Sequence, residues 1–244
     1  MPKFFIPKDA VQGTFIYLTG ENAAHAHVLR LKAGDRVDVC DGNGMDYACT
    51  VTDCTADRLT LTVCAASSSD AEPHVRCSIY MAFAKSDKFE HVVQKATELG
   101  ASEIVAFPSS RCVSRPDEKS LSKKVERWQK IADAAAGQCG RGRIPQVLVM
   151  PSFREAVQRA AQADLPLIPY ENEHACSLRS ALGTCAYESV SIMTGPEGGF
   201  SEEEIALAQQ FGLKSCTLGP RILRCETAPL CALSAVMFAS GALD

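Results

Sequence analysis

Two glycine-rich turns constrain this chain more than any other feature. The first is Gly195-Pro196-Glu197-Gly198-Gly199; the second is Leu218-Gly219-Pro220, running on through Arg221-Ile222-Leu223-Arg224-Cys225-Glu226-Thr227-Ala228. The first follows Val190-Ser191-Ile192-Met193-Thr194, an apolar run short enough to be a buried strand. It leads into Ser201-Glu202-Glu203-Glu204, a capping box with Ser201 as N-cap and Glu204 at the third helical position. The second turn repeats this plan, with a short strand around Ser215 to Leu218 before it and a helix opening near Thr227 after it. Glycines there let backbone come close to a ligand that a Cβ would push away. One such loop alone reads as a tight connection in an α/β domain. Two of them, with Arg224, Glu226 and Thr227 clustered at a helix entrance, mark a functional cleft.

The common nucleotide fingerprints are absent. No Gly-Lys-Ser or Gly-Lys-Thr occurs, and no strand is followed by G-x-G-x-x-G, so neither a P-loop nor an ordinary dinucleotide site is expected. The five histidines are scattered, none at finger-like spacing to cysteine, and no metal is expected. His25 and His27 would point to one side of a strand, which is weak ground for a ligand pair. The twelve cysteines form no Cys-x-x-Cys, and several, such as Cys40, Cys77, Cys216 and Cys231, lie in apolar runs. Reduced, buried thiols are the expectation. No apolar stretch is long enough to cross a bilayer, and Met1 to Pro7 lacks the marks of a secretory signal. A cytoplasmic protein with no membrane partner is expected.

A net charge of −4 hides a local imbalance. Between Arg111 and Arg143 nine basic residues, among them Lys123, Lys124 and Arg141, stand against four acidic ones. Such a segment is either a solvated helix face or the footprint of a polyanion.

Residues 1 to about 70 read as short strands split by turns: Phe4 to Ile6, Thr14 to Leu18, Arg36 to Cys40, Tyr47 to Val51 and Leu59 to Val63. Asp41-Gly42-Asn43-Gly44 is a hairpin signal, and a small β-barrel is the expected closure. Ser67 to Pro73 reads as a linker. From 74 to 244 the rhythm is strand and helix in alternation, which means a parallel sheet covered on both faces. Asp87-Lys88-Phe89-Glu90 opens one of these helices as a second capping box, and Phe89, Val92, Val93, Ala96 and Leu99 form its apolar stripe before Gly100. Ligands of such sheets sit at the carboxyl ends of strands, where both glycine-rich loops lie.

With both motifs in hand, the chain resembles the ribosomal RNA small-subunit methyltransferase E family of the SPOUT superfamily, which methylates N3 of a uridine in 16S ribosomal RNA. Supporting segments are His25 with Val28-Leu29-Arg30, Gly34-Asp35, Lys95 to Gly100, Arg111, Trp128 and Gln138-Cys139-Gly140-Arg141. A departure lies before Gln138, where Ala134 and Gly137 stand in place of expected acidic residues. The resemblance implies an α/β fold with a SPOUT-type parallel sheet and C-terminal trefoil knot, preceded by a PUA-like RNA-binding barrel. It implies an S-adenosyl-L-methionine pocket drawn from Thr194, Gly195, Glu197, Gly198, Gly199, Leu218, Gly219, Ile222, Leu223 and Thr227, with the end of the Leu165 to Tyr170 strand. It also implies a homodimer, with 16S ribosomal RNA, within the small ribosomal subunit, as partner.

Methyl transfer to N3 requires loss of the N3 proton and stabilisation of the resulting anion. Arg224 and Arg221 are candidates to supply positive charge there, or to pair with phosphate. Glu226 is a candidate base, or a helix cap; Glu197 is a ribose ligand, or an acceptor that holds its loop. His25, Arg30, Arg111, Lys123, Lys124 and Arg141 are the candidate RNA contacts. Two other classes stay open: an RNA-binding assembly module that holds the cofactor without turnover, and a SPOUT enzyme acting on tRNA or another base.

Overall fold

The computed structural model describes residues 3–7, 10–55, 57–85, 87–183 and 187–243, less the side chain of Glu118. Cys185 lies outside the described residues. The chain forms two compact units. The first takes Met1–Glu72 and Ala136–Ile144; the second takes Pro73–Ala135 and Pro145–Asp244.

The first unit holds one six-stranded sheet in the order β1-β4-β5-β6-β3-β2, from β1 (Lys3–Phe5), β2 (Val11–Gln12), β3 (Phe15–Thr19), β4 (Arg36–Cys40), β5 (Met45–Cys54) and β6 (Arg58–Ser68). Its pairs are antiparallel except β1 with β4. Alternation buries Ile16, Leu18, Val37, Val39, Leu59 and Leu61 on one side. The expected hairpin turn joins β4 to β5, with Asp41 Oδ1 accepting from Asn43 N at 2.8 Å and Met45 N at 3.1 Å. β6 runs through Ser68, so the serines expected as linker begin as strand.

Two expectations fail in this unit. His25 and His27 lie on a helix, α1 (Gly20–Val28), not a strand. The segment is built around Ala23, Ala24 and Ala26, strong helix formers, and buries Ala23 and Ala26. Residues 136–144, expected in the second domain, count with the first. Glu72 explains this: its carboxylate accepts from Gly142 N at 2.9 Å, Arg143 N at 3.0 Å and Arg141 Nη2 at 2.8 Å. Gly44 N also donates to the Gly142 carbonyl at 2.9 Å, and Lys3 Nζ to that of Gly140 at 2.9 Å. Arg141, expected on an RNA surface, is only 4% exposed in this ion pair.

The second unit is a six-stranded, wholly parallel sheet in the order β12-β10-β11-β7-β8-β9. The strands are β7 (Arg76–Ala82), β8 (Glu103–Phe107), β9 (Gln146–Val149), β10 (Leu165–Pro169), β11 (Ser189–Thr194) and β12 (Lys214–Cys216). Helices α2 (Lys88–Glu98), α3 (Glu118–Cys139), α4 (Phe153–Ala160), α5 (Leu178–Leu182), α6 (Glu202–Gln210) and α7 (Thr227–Ala239) alternate with them. The period of two sends Cys77, Ile79 and Met81 to a core shared with α2, α3, α5 and α7. Tyr80 and Ala82 go to the opposite core, under α4 and α6.

The Ser201 capping box forms: Ser201 Oγ accepts from Glu204 N at 3.3 Å, and Glu204 Oε2 accepts from Ser201 N at 3.0 Å. The box expected at Asp87 does not, since Asp87 makes no side-chain cap bond and Glu90 instead meets Arg127 at 2.7 Å. The apolar stripe of α2 is core, with Phe89 tilted against Trp128 at a ring separation of 4.5 Å. Cys40, Cys77 and Cys216 are buried as expected, but Cys231 is exposed on α7. Among the described residues no helix is long and apolar enough to cross a membrane.

Candidate functional site

The neighbouring strands β12, β10, β11 and β7 all send their carboxyl ends toward one cleft of about 410 Å³. β11 passes at Thr194 into Gly195 to Phe200, β10 into Tyr170 and Glu171, β12 into Thr217 to Cys225, and β7 toward α2 at Lys88. The two glycine-rich turns, which follow strands on either side of β10, both line this hollow as its first and second walls.

The first wall is braced. Gly199 N donates to the Pro196 carbonyl at 3.0 Å, and the turn needs φ of 67° at Gly199, a conformation that side chains resist. A Cβ on Gly195 would stand 3.1 Å from the Gly199 carbonyl carbon; one on Gly199 would run into the Glu171 carboxylate. Arg111 packs over Gly198 and donates from Nη1 to its carbonyl at 3.1 Å. Glu204, buried below, accepts from Ser110 N at 2.8 Å and Ser109 Oγ at 3.2 Å besides its capping bond. One carboxylate thus fastens both the start of α6 and the segment that carries Arg111.

The second wall is more open. Arg221 and Arg224 are exposed, Ile222 is 80% exposed, and Leu223 is half-buried. Thr217 Oγ1 accepts from Gly219 N at 3.2 Å, and the Arg224 carbonyl accepts from Thr227 N at 2.8 Å and Ala228 N at 3.0 Å.

Between the walls stands Lys88. Its Nζ lies 3.2 Å from Glu197 Oε1, 3.5 Å from Glu226 Oε2 and 3.7 Å from Cys225 Sγ. Glu197 also accepts from Lys85 N at 2.9 Å. Partial burial works to raise the Glu197 carboxyl, but the Lys85 N–H, its own backbone N–H and Lys88 outweigh it and hold it below the usual range. Glu226 is lowered in the same way, burial being outweighed by its own backbone N–H, the Cys225 thiol and Lys88. Burial, reinforced by Glu226, pushes the Cys225 thiol up to about 11, so it stays protonated and donates to Glu226 Oε2 at 3.2 Å.

Of the residues expected at the cofactor, Thr194, Gly195, Glu197, Gly198, Gly199, Leu218, Gly219, Ile222 and Leu223 line the cleft, as does Arg224. Thr227 does not; it is exposed on the first turn of α7. Glu226 does not line it either, and its side chain makes no capping bond, being engaged with Cys225 and Lys88. Arg111 is exposed and packs against the first wall through its bond to the Gly198 carbonyl. Lys123 and Lys124 are exposed on α3. In the first unit His25 is exposed on α1, edge-on to Phe4 at 5.5 Å, and Arg30 is exposed in the left-handed region at φ 56°. The sequence gives Lys88, Glu171 and Glu204 no role at a site. Only Glu204 left a signal, the capping box, and that signal explains one of its three bonds.

Comparison with known proteins agrees with this geometry. Residues 71–237 match the model of an RNA methyltransferase domain, and residues 18–64 that of an RNA methyltransferase PUA domain. A parallel sheet with ligand-sized loops at its carboxyl ends, preceded by such a module, defines the class: an RNA methyltransferase. The ribosomal RNA small subunit methyltransferase E of Bacillus subtilis (strain 168) is 36% identical over 228 residues, covering 91% of this chain and 89% of the relative. The chain belongs to the ribosomal RNA small subunit methyltransferase E family. Its fold is similar to the crystal structure of the Neisseria gonorrhoeae member bound to S-adenosylmethionine, with a TM-score of 0.85, 30% identity and coverage of 98% and 97% of the two chains. A Legionella pneumophila methyltransferase solved with that cofactor gives a TM-score of 0.86 at 28% identity, covering 97% of each chain.

Proposed function

We propose that this protein transfers the methyl group of S-adenosylmethionine to N3 of a uridine in 16S ribosomal RNA. The observation that carries this reading is the convergence of residues 195–199 and 218–225 on one cleft. The cleft fits the cofactor on two grounds. Its volume suits a ligand of that size, and Gly195 and Gly199 leave backbone surfaces that a Cβ would fill. Pro169, Tyr170, Leu218, Leu223 and Ala228 supply apolar walls for a purine, and Glu171 is the carboxylate best placed for ribose hydroxyls. Bound there, the cofactor supplies a methyl group activated on a sulfonium.

The chain's own residues then have three tasks. The first wall fixes the donor, which in-line displacement demands. Arg224, exposed on the second wall, sets positive charge where the uracil anion develops. Glu226 holds position more than it abstracts a proton, since a carboxylate held below its usual range is a weak base, and the N3 proton passes to bulk water. Arg111 serves the first wall, while His25, Arg30, Lys123 and Lys124 contact RNA phosphate.

The same reading extends to the assembly. The exposed side of α7 carries Cys231 and Phe238, the latter 73% exposed, and a second copy of the chain covers it as a homodimer. The segment that builds both walls is the trefoil-knotted part of the fold. The enzyme works in the cytoplasm on ribosomal RNA in the small subunit.

The test is to incubate the protein with labelled cofactor and small-subunit ribosomal RNA, digest the RNA and identify the modified nucleoside by mass. N3-methyluridine is the expected product. Label in another base would move the activity within the superfamily, and stoichiometric cofactor binding with unlabelled RNA would make the chain a binding module.

A further inference from the structure

Lys88 breaks a local rule. It is the first residue of α2, where the positive end of the helix dipole disfavours a cation, and the Asp87 that should cap the helix does not do so. Residues that contradict local preference need a compensating partner elsewhere. The partners of Lys88 tie both walls of the cleft to the α7 start: Glu197 on the first wall at 3.2 Å, Cys225 on the second at 3.7 Å, and Glu226, next in the chain, at 3.5 Å. The side chain is 26% exposed and itself lines the cleft.

We infer that Lys88 is a positioning residue for methyl transfer, a cationic clasp that holds Glu197 and Glu226 together and thereby sets Arg224 against the donor loop. Arg224 lies two residues before Glu226, and its carbonyl is already tied to the α7 start by Thr227 N and Ala228 N. Fixing Glu226 therefore fixes the backbone that bears Arg224. The inference rests on the methyltransferase reading above.

The charged and titratable groups facing the clasp come from four places. They are Lys88 of α2, Glu197 of the first wall, Cys225 and Glu226 of the α7 start, and Cys112, which senses Glu197 from the loop after β8. Without the ammonium, two carboxylates would share one site unscreened, and one of them would hold its proton to higher pH. The protonated form no longer anchors its loop.

Three variants test this: Lys88→Met, Lys88→Arg and Lys88→Met with Glu226→Gln. The readouts are kcat, the KM for cofactor, the pH profile of kcat and the unfolding midpoint, beside wild type on the same RNA. We expect Lys88→Met to lower kcat by about 10- to 100-fold at neutral pH, the scale of a lost charged contact, with a smaller change in KM. Its acid limb should move to higher pH. Lys88→Arg should restore most of the rate, and the double variant should return the acid limb toward the wild-type position. An unmoved acid limb in Lys88→Met, or loss of rate matched only by loss of folding, overturns the clasp. No transfer by wild type would instead overturn the function on which it rests.

Discussion

The two walls of the cleft are built by opposite means. The first is pinned at every turn: positive φ at Gly199, Arg111 over Gly198, Glu197 on Lys85 N–H, and Glu204 beneath with three donors. The second leaves Arg221, Ile222 and Arg224 exposed, with its two ends held by bonds to the Thr217 hydroxyl and the Arg224 carbonyl. A donor that must be aligned to a fraction of an ångström needs the rigid wall; a large, irregular polyanion is better met by long exposed side chains. On the function proposed above, the contrast divides the labour within one pocket, with the cofactor on the first wall and substrate charge on the second.

The largest effect is expected from Gly199→Val. The substitution forces a β-branched residue to a left-handed φ and drives its Cβ into Glu171, so cofactor affinity should fall by more than about 100-fold. Retained affinity in calorimetry, with a normal unfolding midpoint, would show that the first wall is not the cofactor cradle. Arg224→Ala should lower kcat by about 10²- to 10³-fold, the scale of one lost oxyanion donor, with cofactor affinity little changed. Equal losses in kcat and affinity would erase the distinction between the walls.

Glu204→Ala sharpens the comparison from below. It strands the buried hydroxyl of Ser109 and the N–H of Ser110, at a cost of about 1–3 kcal/mol in denaturant unfolding. Arg111 and the first wall should loosen with it, raising the KM for cofactor more than kcat falls. Lys123→Glu with Lys124→Glu lies away from both walls. It should weaken RNA association and flatten its dependence on salt by about two counterions, leaving cofactor binding alone.

The smallest effect concerns acid. Glu197 and Glu226 are lowered in the folded protein, so the stability they add is full above the ordinary carboxylate value of about 4.3. It is lost as pH falls through their lower folded values. Glu226→Gln should therefore make the unfolding midpoint less sensitive to acid below about pH 4. An identical acid profile in wild type and variant would remove Glu226 from the clasp.

What was legible in the sequence follows the range of the interactions. The parallel sheet, the Ser201 capping box, the Asp41 to Gly44 hairpin and the α2 stripe are written in neighbouring residues, and each formed. Both glycine turns are legible because their spacing is local, and strand carboxyl ends bring them to one cleft. The failures are long-range or ambiguous. Lys85 and Lys88 reach a residue more than a hundred positions away, and nothing around Asp87 reports it. Glu72 recruits residues 140–144 into the first unit by bonds spanning about seventy positions. Arg141 looked like part of a basic run until its partner appeared. Alternation puts His25 and His27 on one side of a strand, but the alanines between and around them favour the helix that forms.

The most direct test of the division between the walls is one paired measurement: cofactor dissociation constant and single-turnover methyl transfer for Gly199→Val and Arg224→Ala. We expect the first variant to lose the cofactor, while the second binds it as wild type does and transfers its methyl group about 10²- to 10³-fold more slowly. The reverse pattern, with Arg224→Ala failing to bind and Gly199→Val binding normally, would contradict it.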